Sequence, residues 1–171
     1  MACVLTTGFA LDCKDAVGGI KKIWVITNAN KGTMTKSPSG TITAWTPVAN
    51  SLFAYELRKA SSSFETDVIT NQQNGTTYYE TKLTIQLNKM EVYKRNEIKL
   101  LAQNLLMFIV LDRTGQYVVL GEGNGCDMTS GKGTTGTAMG DFNGWNLEFT
   151  AVEEDMPLVL ASGVVTSLGL S

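Results

Sequence analysis

Apolar and polar residues alternate along residues 53–87, and this alternation constrains the fold more than any other feature of the sequence. In YYETKLTIQL, residues 78–87, every second residue from Tyr79 to Leu87 is apolar or threonine, with polar residues between them. FAYELRK and SFETDVIT repeat the pattern. A period of two places successive side chains on opposite faces of a β-strand. The sequence therefore predicts strands with one packed face and one face in water.

A turn signal separates the last two of these segments. Asn74-Gly75 lies within NQQNGTT, and the Asn-Gly pair is favoured in tight hairpin turns because both residues tolerate a positive φ. We therefore expect SFETDVIT and YYETKLTIQL to form a long hairpin whose far end projects beyond the core.

The period changes in NKMEVYKRNEIKLLAQN, residues 88–104. Apolar residues recur at helical spacing along one side of this segment: Met90, Tyr93, Ile98, Leu101 and Leu105. Asn88 and Glu91 have the spacing of a capping box. The pattern predicts an amphipathic α-helix packed on a sheet.

Short runs rich in β-branched, aromatic or aliphatic residues indicate further strands at 20–27, 41–45, 105–111, 117–120 and 145–151. Asp112-Arg113-Thr114-Gly115 fits a type I turn closed by a left-handed glycine. Residues 28–40 are polar with glycine and proline, which predicts a long loop. Residues 157–171 suit either a final strand or an arm.

These elements predict an α+β fold that is mainly β and forms a single domain over residues 1–171. We expect a β-sandwich or partly closed barrel of about seven or more antiparallel strands. One packed helix at about 88–104 and a long projecting hairpin complete the prediction.

Histidine is absent from the 171 residues. Its absence removes the usual general base, the Ser-His and Cys-His nucleophile pairs and the commonest metal ligand. Cys3, Cys13 and Cys126 lack Cys-x-x-Cys spacing, which favours free thiols over a zinc site, although Cys3 and Cys13 are close enough in sequence to pair. We therefore expect no catalytic residues, no metal and no cofactor.

The glycine-rich stretch from Gly121 to Gly140 raises the question of a phosphate site. Its GCDMTSGKG segment, residues 125–133, has one residue too many for a P-loop, and Gly133 stands where the magnesium-binding hydroxyl would be. The segment leads into a strand instead of a helix N-terminus, so we expect a flexible contact loop. The consecutive acids Glu153, Glu154 and Asp155 are expected to form a solvated acidic edge.

Charge and hydropathy limit the partners. The net charge is −2, which does not favour electrostatic binding to nucleic acid. No apolar run approaches the roughly 20 residues of a membrane helix, and no lysine or arginine precedes Lys14 as a signal peptide would require. We expect a soluble protein, made in the cytoplasm, with no membrane partner.

The order of these elements resembles the tail-tube proteins of tailed bacteriophages. The resemblance rests on the opening GFALDCKDAVGGIKKIWV, the hairpin FAYELRKASSSFETDVITNQQNGTTYYETKLTIQL, the helix NKMEVYKRNEIKLLAQN, the strand pair LLMFIVLDRTGQYVVLG and the closing TTGTAMGDFNGWNLEFTAVEEDMP. That family's fold is a β-sandwich flanked by one helix, with a long hairpin and mobile arms, and it recurs in the tubes of bacterial secretion and injection machines. The resemblance implies a tail-tube-like domain with mobile N- and C-terminal arms.

The resemblance also implies an assembly. Hexameric rings would join their sheets into a continuous inner barrel and would stack through the hairpin near 60–76, the loop at 28–39 and the termini. The protein would belong to the virion and be made in the host bacterial cytoplasm, and DNA would pass only transiently through an acidic or neutral bore that repels phosphate. Its partners would be other copies of itself and the tape-measure, terminator and baseplate or hub proteins. The residues implied in subunit contacts are Lys31, Met34, Trp45, Phe64, Thr66, Val68, Asn74, Gly75, Thr134, Thr135 and Met139.

Other interpretations stay open. A head–tail connector, tail terminator or capsid decoration protein also uses a small β-sandwich. A small-molecule or carbohydrate-binding β-barrel would stack sugars on Trp24, Trp45 and Trp145, although tryptophans in strands usually belong to cores or interfaces. An enzyme would have to work through Asp, Glu or Lys, and no recognised constellation of these residues is present.

Overall fold

A computed structural model describes residues 8–9, 14, 17–49, 51–59 and 61–170. Cys3, Cys13 and most of the expected N-terminal arm lie outside the described residues.

The described residues form eleven strands, two α-helices and a short 3-10 turn at Asn28–Asn30. The strands are β1 Ile20–Thr27, β2 Thr33–Lys36, β3 Thr41–Thr46, β4 Phe53–Glu56, β5 Ser63–Asn71, β6 Thr76–Asn88, β7 Leu106–Asp112, β8 Tyr117–Leu120, β9 Cys126–Thr134, β10 Gly144–Glu153 and β11 Leu158–Leu160. The helices are α1 Val92–Gln103 and α2 Ser162–Leu168. The α+β, mainly β prediction is confirmed.

The strands form one mixed sheet in the order β2-β3-β11-β8-β7-β9-β10-β6-β5. β1 pairs with β7 and also with β4, which extends the sheet off this path. The pairing of β11 with β3 is parallel, and the pairings of consecutive strands such as β5 with β6 are antiparallel. Among the described strands β2 and β5 end the path without pairing to each other, so the sheet does not close into a barrel.

Strands β1 and β7 form a central wall whose two faces are both buried. Along β7, Phe108 packs into one hydrophobic cluster with β6 and β10, whereas Met107 and Ile109 pack into a second cluster with β3, β11 and α2. Two covered faces explain why LLMFIVL is apolar throughout instead of alternating. The rings of Phe108 and Phe149 pack 4.7 Å apart between centroids in the first cluster, where burial of each side chain contributes about 1.5–3 kcal/mol.

The long hairpin is confirmed as β5 and β6, paired in register from Ser63↔Thr84 to Asn71↔Thr76. Thr81, Leu83 and Ile85 face the core, as their alternation predicts. The turn at residues 112–115 is also confirmed, with Gly115 at φ 92° and its N–H donating to the Asp112 carbonyl at 3.4 Å.

The predicted helix is present but shorter than residues 88–104, and the capping box is wrong. Asn88 is the last residue of β6, where it pairs with Gly144, and Lys89 then turns the chain with φ 65°. Glu91 is the N-cap, and its side chain makes no capping hydrogen bond. Instead Glu91 pairs with Lys94, whose ammonium donates to the Asn88 carbonyl at 2.6 Å.

Two segments are more ordered than the sequence predicts. Residues 28–40 contain the turn at Asn28–Asn30 and β2, so the expected long loop is mostly a hairpin with β3. The C-terminal residues form β11 and α2, and Leu170 is buried in the second cluster. The Tyr117 hydroxyl donates to the Leu170 carbonyl at 3.1 Å, which fixes the end of the described chain to β8.

Candidate subunit interface

Strands β9, β10, β6 and β5 form a continuous antiparallel sheet, and within the described residues most of each outer edge has no strand partner. Among the described strands, β5 pairs only with β6 along its whole length. Within the described residues, β9 pairs with β10 on one side and with β7 at Leu106↔Cys126 alone, so its edge from Asp127 to Thr134 has no strand partner. A bulge at Thr129 interrupts this edge. Long unpaired edges offer hydrogen-bonding groups to another strand.

The two faces of this four-stranded sheet differ in chemistry. The inner face carries Leu83, Leu147 and Phe149 into the first cluster. The outer face presents the residues between them, and its charged members are Glu65, Asp67, Glu80, Lys82, Asp127, Lys132 and Glu148. Carboxylates outnumber lysines on this face, so it is net acidic.

Lys82 lies at the centre of the acidic face. Its ammonium pairs with Glu80 at 3.1 Å, and it is directly opposite Glu65 on β5 and Thr150 on β10. The hydrogen bond and charge of Glu80, with smaller contributions from Asp67 and Glu148, raise the pKa of Lys82. Asp67 and Glu80 face each other across the hairpin, a like-charge pairing that the lysine offsets.

The hairpin extends beyond the end of β10 by the pairs Ile69↔Tyr78 to Asn71↔Thr76, a projection of about 10 Å. The side chain of Asn71 closes its turn, because Oδ1 accepts the backbone N–H groups of Gln73 at 3.0 Å and Asn74 at 3.2 Å. Gly75 has the expected positive φ of 64°, but Asn74 does not, and the turn has four residues, 72–75, between the paired Asn71 and Thr76. Val68 is 53% exposed, whereas Phe64 packs partly against the first cluster and Thr66 bonds to Thr81.

The expectation of a glycine-rich loop over residues 121–140 is wrong for its central part, because Cys126–Thr134 is strand β9. Gly131 pairs with Leu147 of β10 and Gly133 pairs with Trp145. These two large side chains occupy the space beside the glycines, which have no side chains of their own. This arrangement, in which aromatic and aliphatic side chains shield glycines of an edge strand, is a stabilising device of β-sheets.

The loop after β9 is held by Asp141. Its Oδ2 accepts the backbone N–H groups of Thr137 and Ala138, each at 2.8 Å, and these bonds lower the pKa of its carboxyl. The loop presents Met139 fully exposed, and Thr135 at its start is also exposed. Thr134 is the last residue of β9 and half-buried. These predicted contact residues lie together at one end of the open β9 edge.

The predicted contact residues of the β2–β3 region are not grouped with the others. Trp45 is 5% exposed, lies in the second cluster and donates through Nε1 to the Lys31 carbonyl at 2.6 Å. The Lys31 ammonium donates to the Glu122 carbonyl at 2.8 Å, and Lys36 pairs with the Glu122 carboxylate. Met34 packs partly against the same cluster. These contacts tie the hairpin to the body of the chain.

The three tryptophans do not form an open platform. Trp24 is buried beside Tyr117 in the second cluster, Trp45 is buried with it, and Trp145 is half-buried against the first cluster. No pair of them faces a common cleft in the way that stacking on a sugar would need.

Sequence reasoning missed a groove of about 680 Å³ between β4 and α1. Phe53, Tyr93 and Leu100 line it and are each more than half exposed. The Tyr55 hydroxyl donates to Glu97 Oε1 at 3.0 Å and joins the strand to the helix. The helical periodicity gave no signal for the groove, because an apolar helix side is equally consistent with complete burial.

The acids Glu153, Glu154 and Asp155 border a recess of about 260 Å³ with Lys36 and Glu122. Glu153 accepts the Gly123 N–H at 2.6 Å and so acts as a turn acceptor. Across the part of the chain that the structure describes, no three His, Cys, Asp or Glu side chains come together as metal ligands. Burial, with the nearby Glu153 and Asp127 carboxylates, raises the pKa of the Cys126 thiol, which keeps it neutral.

None of the helices in the described ranges is long and apolar enough to cross a membrane. The chain matches no protein-family model, no curated protein and no solved structure at a significant level.

Proposed function

We propose that this chain is a structural subunit of the tail tube of a tailed bacteriophage. In this proposal it assembles into hexameric rings, and the stacked rings form the conduit through which DNA leaves the virion. The observation that carries the proposal is the four-stranded β9-β10-β6-β5 sheet, which has two open edges and a net acidic outer face.

The strand directions of this sheet suit a ring. Each neighbouring pair is antiparallel, so β5 and β9, at opposite edges, run in opposite directions. Rotation about an axis along the strands therefore brings β5 of one copy antiparallel to β9 of the next. Such a head-to-tail contact closes into a ring when the rotation between neighbouring copies divides a full turn into a whole number of equal steps. The sheet would then continue around the ring without a break.

The lengths of the two edges also match. β5 spans nine residues and the open edge of β9 runs from Asp127 to Thr134. A joint of this length adds roughly eight backbone hydrogen bonds, or about 4–12 kcal/mol. Association itself costs about 4–15 kcal/mol, so a single joint is weak. A closed ring, in which every copy makes two joints, is the stable product.

The acidic outer face would line the bore of such a ring. A negative lining repels DNA phosphate and lets the duplex pass without binding. The projecting end of the hairpin would reach the next ring, as the resemblance to tail-tube proteins implies.

Proline substitutions on β5 test the joint directly. Neighbouring residues of a strand point their N–H groups to opposite edges, so Asp67→Pro and Val68→Pro form a matched pair. Both side chains are exposed, so little packing is lost. The variant whose replaced N–H points to β6 loses a bond of the hairpin and destabilises the fold. The variant whose replaced N–H points away from β6 loses only a donor at the open edge.

We expect the open-edge variant to keep the thermal midpoint of the parent chain and to form no rings in negative-stain electron microscopy. Normal rings from the proline variant that keeps the parent's thermal midpoint would refute β5 as a joint. A trimmed hairpin, with residues 69–73 and 76–78 deleted so that Asn74-Gly75 forms a two-residue turn, should form rings that do not stack.

A further inference from the structure

The sequence contains three Asn-Gly steps: Asn74-Gly75, Asn124-Gly125 and Asn143-Gly144. Asparagine is chemically labile, and a following glycine increases its lability because no side chain shields the backbone nitrogen that attacks the asparagine amide carbon. The three steps have the same local chemistry, so differences in their reactivity must come from the fold.

The surroundings of Asn74 leave the reaction unhindered. Asn74 and Gly75 are exposed at the hairpin turn, and a Cβ built on Gly75 would meet no atom within 4 Å. Within the described part of the chain, neither the Asn74 side chain nor the Gly75 N–H has a hydrogen-bond partner. Rotation of the side chain toward the Gly75 nitrogen therefore breaks no hydrogen bond.

The fold restrains the other two Asn-Gly steps, Asn124-Gly125 and Asn143-Gly144. The Asn124 side-chain amide donates to the Val152 carbonyl at 2.9 Å, and Gly125 is buried so tightly against Leu105 that a Cβ there would clash. Gly144 is buried at the start of β10, in register between Asn88 and Thr134. In both places the glycine nitrogen cannot approach the amide carbon unless packing or strand pairing is lost.

We propose that Asn74 is a site of spontaneous deamidation. A base removes the Gly75 amide proton, the nitrogen attacks Cγ of Asn74, and the side-chain nitrogen leaves as ammonia, which gives a five-membered imide. Water then opens the ring at Cγ to give aspartate, or at the backbone carbonyl to give isoaspartate. The net change consumes one water and releases one ammonia, with no oxidation or reduction.

The products change the hairpin tip in two ways. The segment NQQNGTT carries no charge, so either product places a new carboxylate at the tip. Isoaspartate also adds a methylene to the backbone, which alters the geometry of a turn that Asn71 holds by two hydrogen bonds. Deamidation of Asn74 requires no assembly, because the reacting groups lie within one chain.

Peptide mapping by mass spectrometry, with enzymatic methylation to detect isoaspartate, measures the three rates in the folded full-length chain. We expect Asn74 to react at least about tenfold faster than Asn124 and Asn143, which corresponds to about 1.4 kcal/mol of extra barrier at the held sites. The rate at Asn74 should rise with pH, because the attacking nitrogen must lose its proton.

Two controls keep the test decisive. In denaturant the fold no longer separates the sites, so the three rates should converge. Asn74→Asp carries the product charge but has no amide at position 74, so it should abolish ammonia loss at that position while leaving the other two Asn-Gly sites unchanged. Equal rates at the three sites in the folded chain, or a faster reaction at Asn124 or Asn143, would overturn the proposal.

Discussion

Gly131 and Gly133 lie two residues apart on the same face of β9, and alanine substitutions at the two should change stability in opposite directions. A Cβ at Gly131 would meet Leu147 and Met128 at 3.5 Å, an ordinary contact. A Cβ at Gly133 would meet the Trp145 ring at 2.9 Å, closer than real Cβ contacts, and the Met90 methyl at 3.0 Å, which is tighter than most of them. Met90 is flexible, but the indole is held in the first cluster.

The magnitudes follow from these distances. Replacing glycine by alanine in a strand gains about 0.5–1 kcal/mol, because the unfolded chain loses conformational freedom. Gly131→Ala should keep this gain. Gly133→Ala adds an overpacking cost of about 1–3 kcal/mol and should be net destabilising by about 1 kcal/mol. The two variants should then differ by about 2 kcal/mol, or roughly 4–8 °C in thermal midpoint for a chain of this size.

Chemical and thermal unfolding of the two variants, with tryptophan fluorescence as the probe, measures this difference. Gly133→Ala should also shift the emission of the folded state, because the Trp145 indole moves toward water. Equal stability of the two variants, or a more stable Gly133→Ala, would refute the assignment of Gly133 to a strand position covered by Trp145.

Other predictions concern the core, the groove, the loop and the hairpin. Phe149→Ala should lower the free energy of unfolding by about 3–5 kcal/mol in denaturant titrations, since the ring is fully buried. Burial and the Glu97 carboxylate raise the pKa of Tyr55 above its ordinary 10.0, so its contribution to stability is fully present below that pH and is lost above it; Tyr55→Phe should flatten the alkaline fall in thermal midpoint. Asp141→Ala should speed amide hydrogen exchange at residues 137 and 138, which bond to its carboxylate. Assembled tubes should deamidate at Asn74 more slowly than free subunits if the hairpin tip lies between rings.

The strands could be predicted from the sequence wherever one physical signal dominated. Period-two alternation located the β5–β6 hairpin and its packed face, and Asn74-Gly75 located its turn. The uniformly apolar LLMFIVL predicted a buried strand, and β7 is covered on both faces. In these segments local preference and tertiary packing agree.

The errors occurred where tertiary contacts outweighed local signals. Glycine predicts a loop, but Gly133 belongs to a strand because Trp145 covers it. Asn88 has the spacing of a helix cap, but pairing with Gly144 keeps it in β6. Each partner is distant in sequence, so no local pattern could indicate it.

The proposed function depends on one contact, in which the open edges of β5 and β9 join copies of this chain into closed rings. Negative-stain electron microscopy of the purified protein, with its mass in solution measured at several concentrations, tests it most directly. If these edges join, hollow rings or stacked tubes should form, and the mass should be a fixed multiple of the 18.5 kDa chain. A monomer at every concentration would contradict it, and closed trimers would indicate a capsid accessory protein instead.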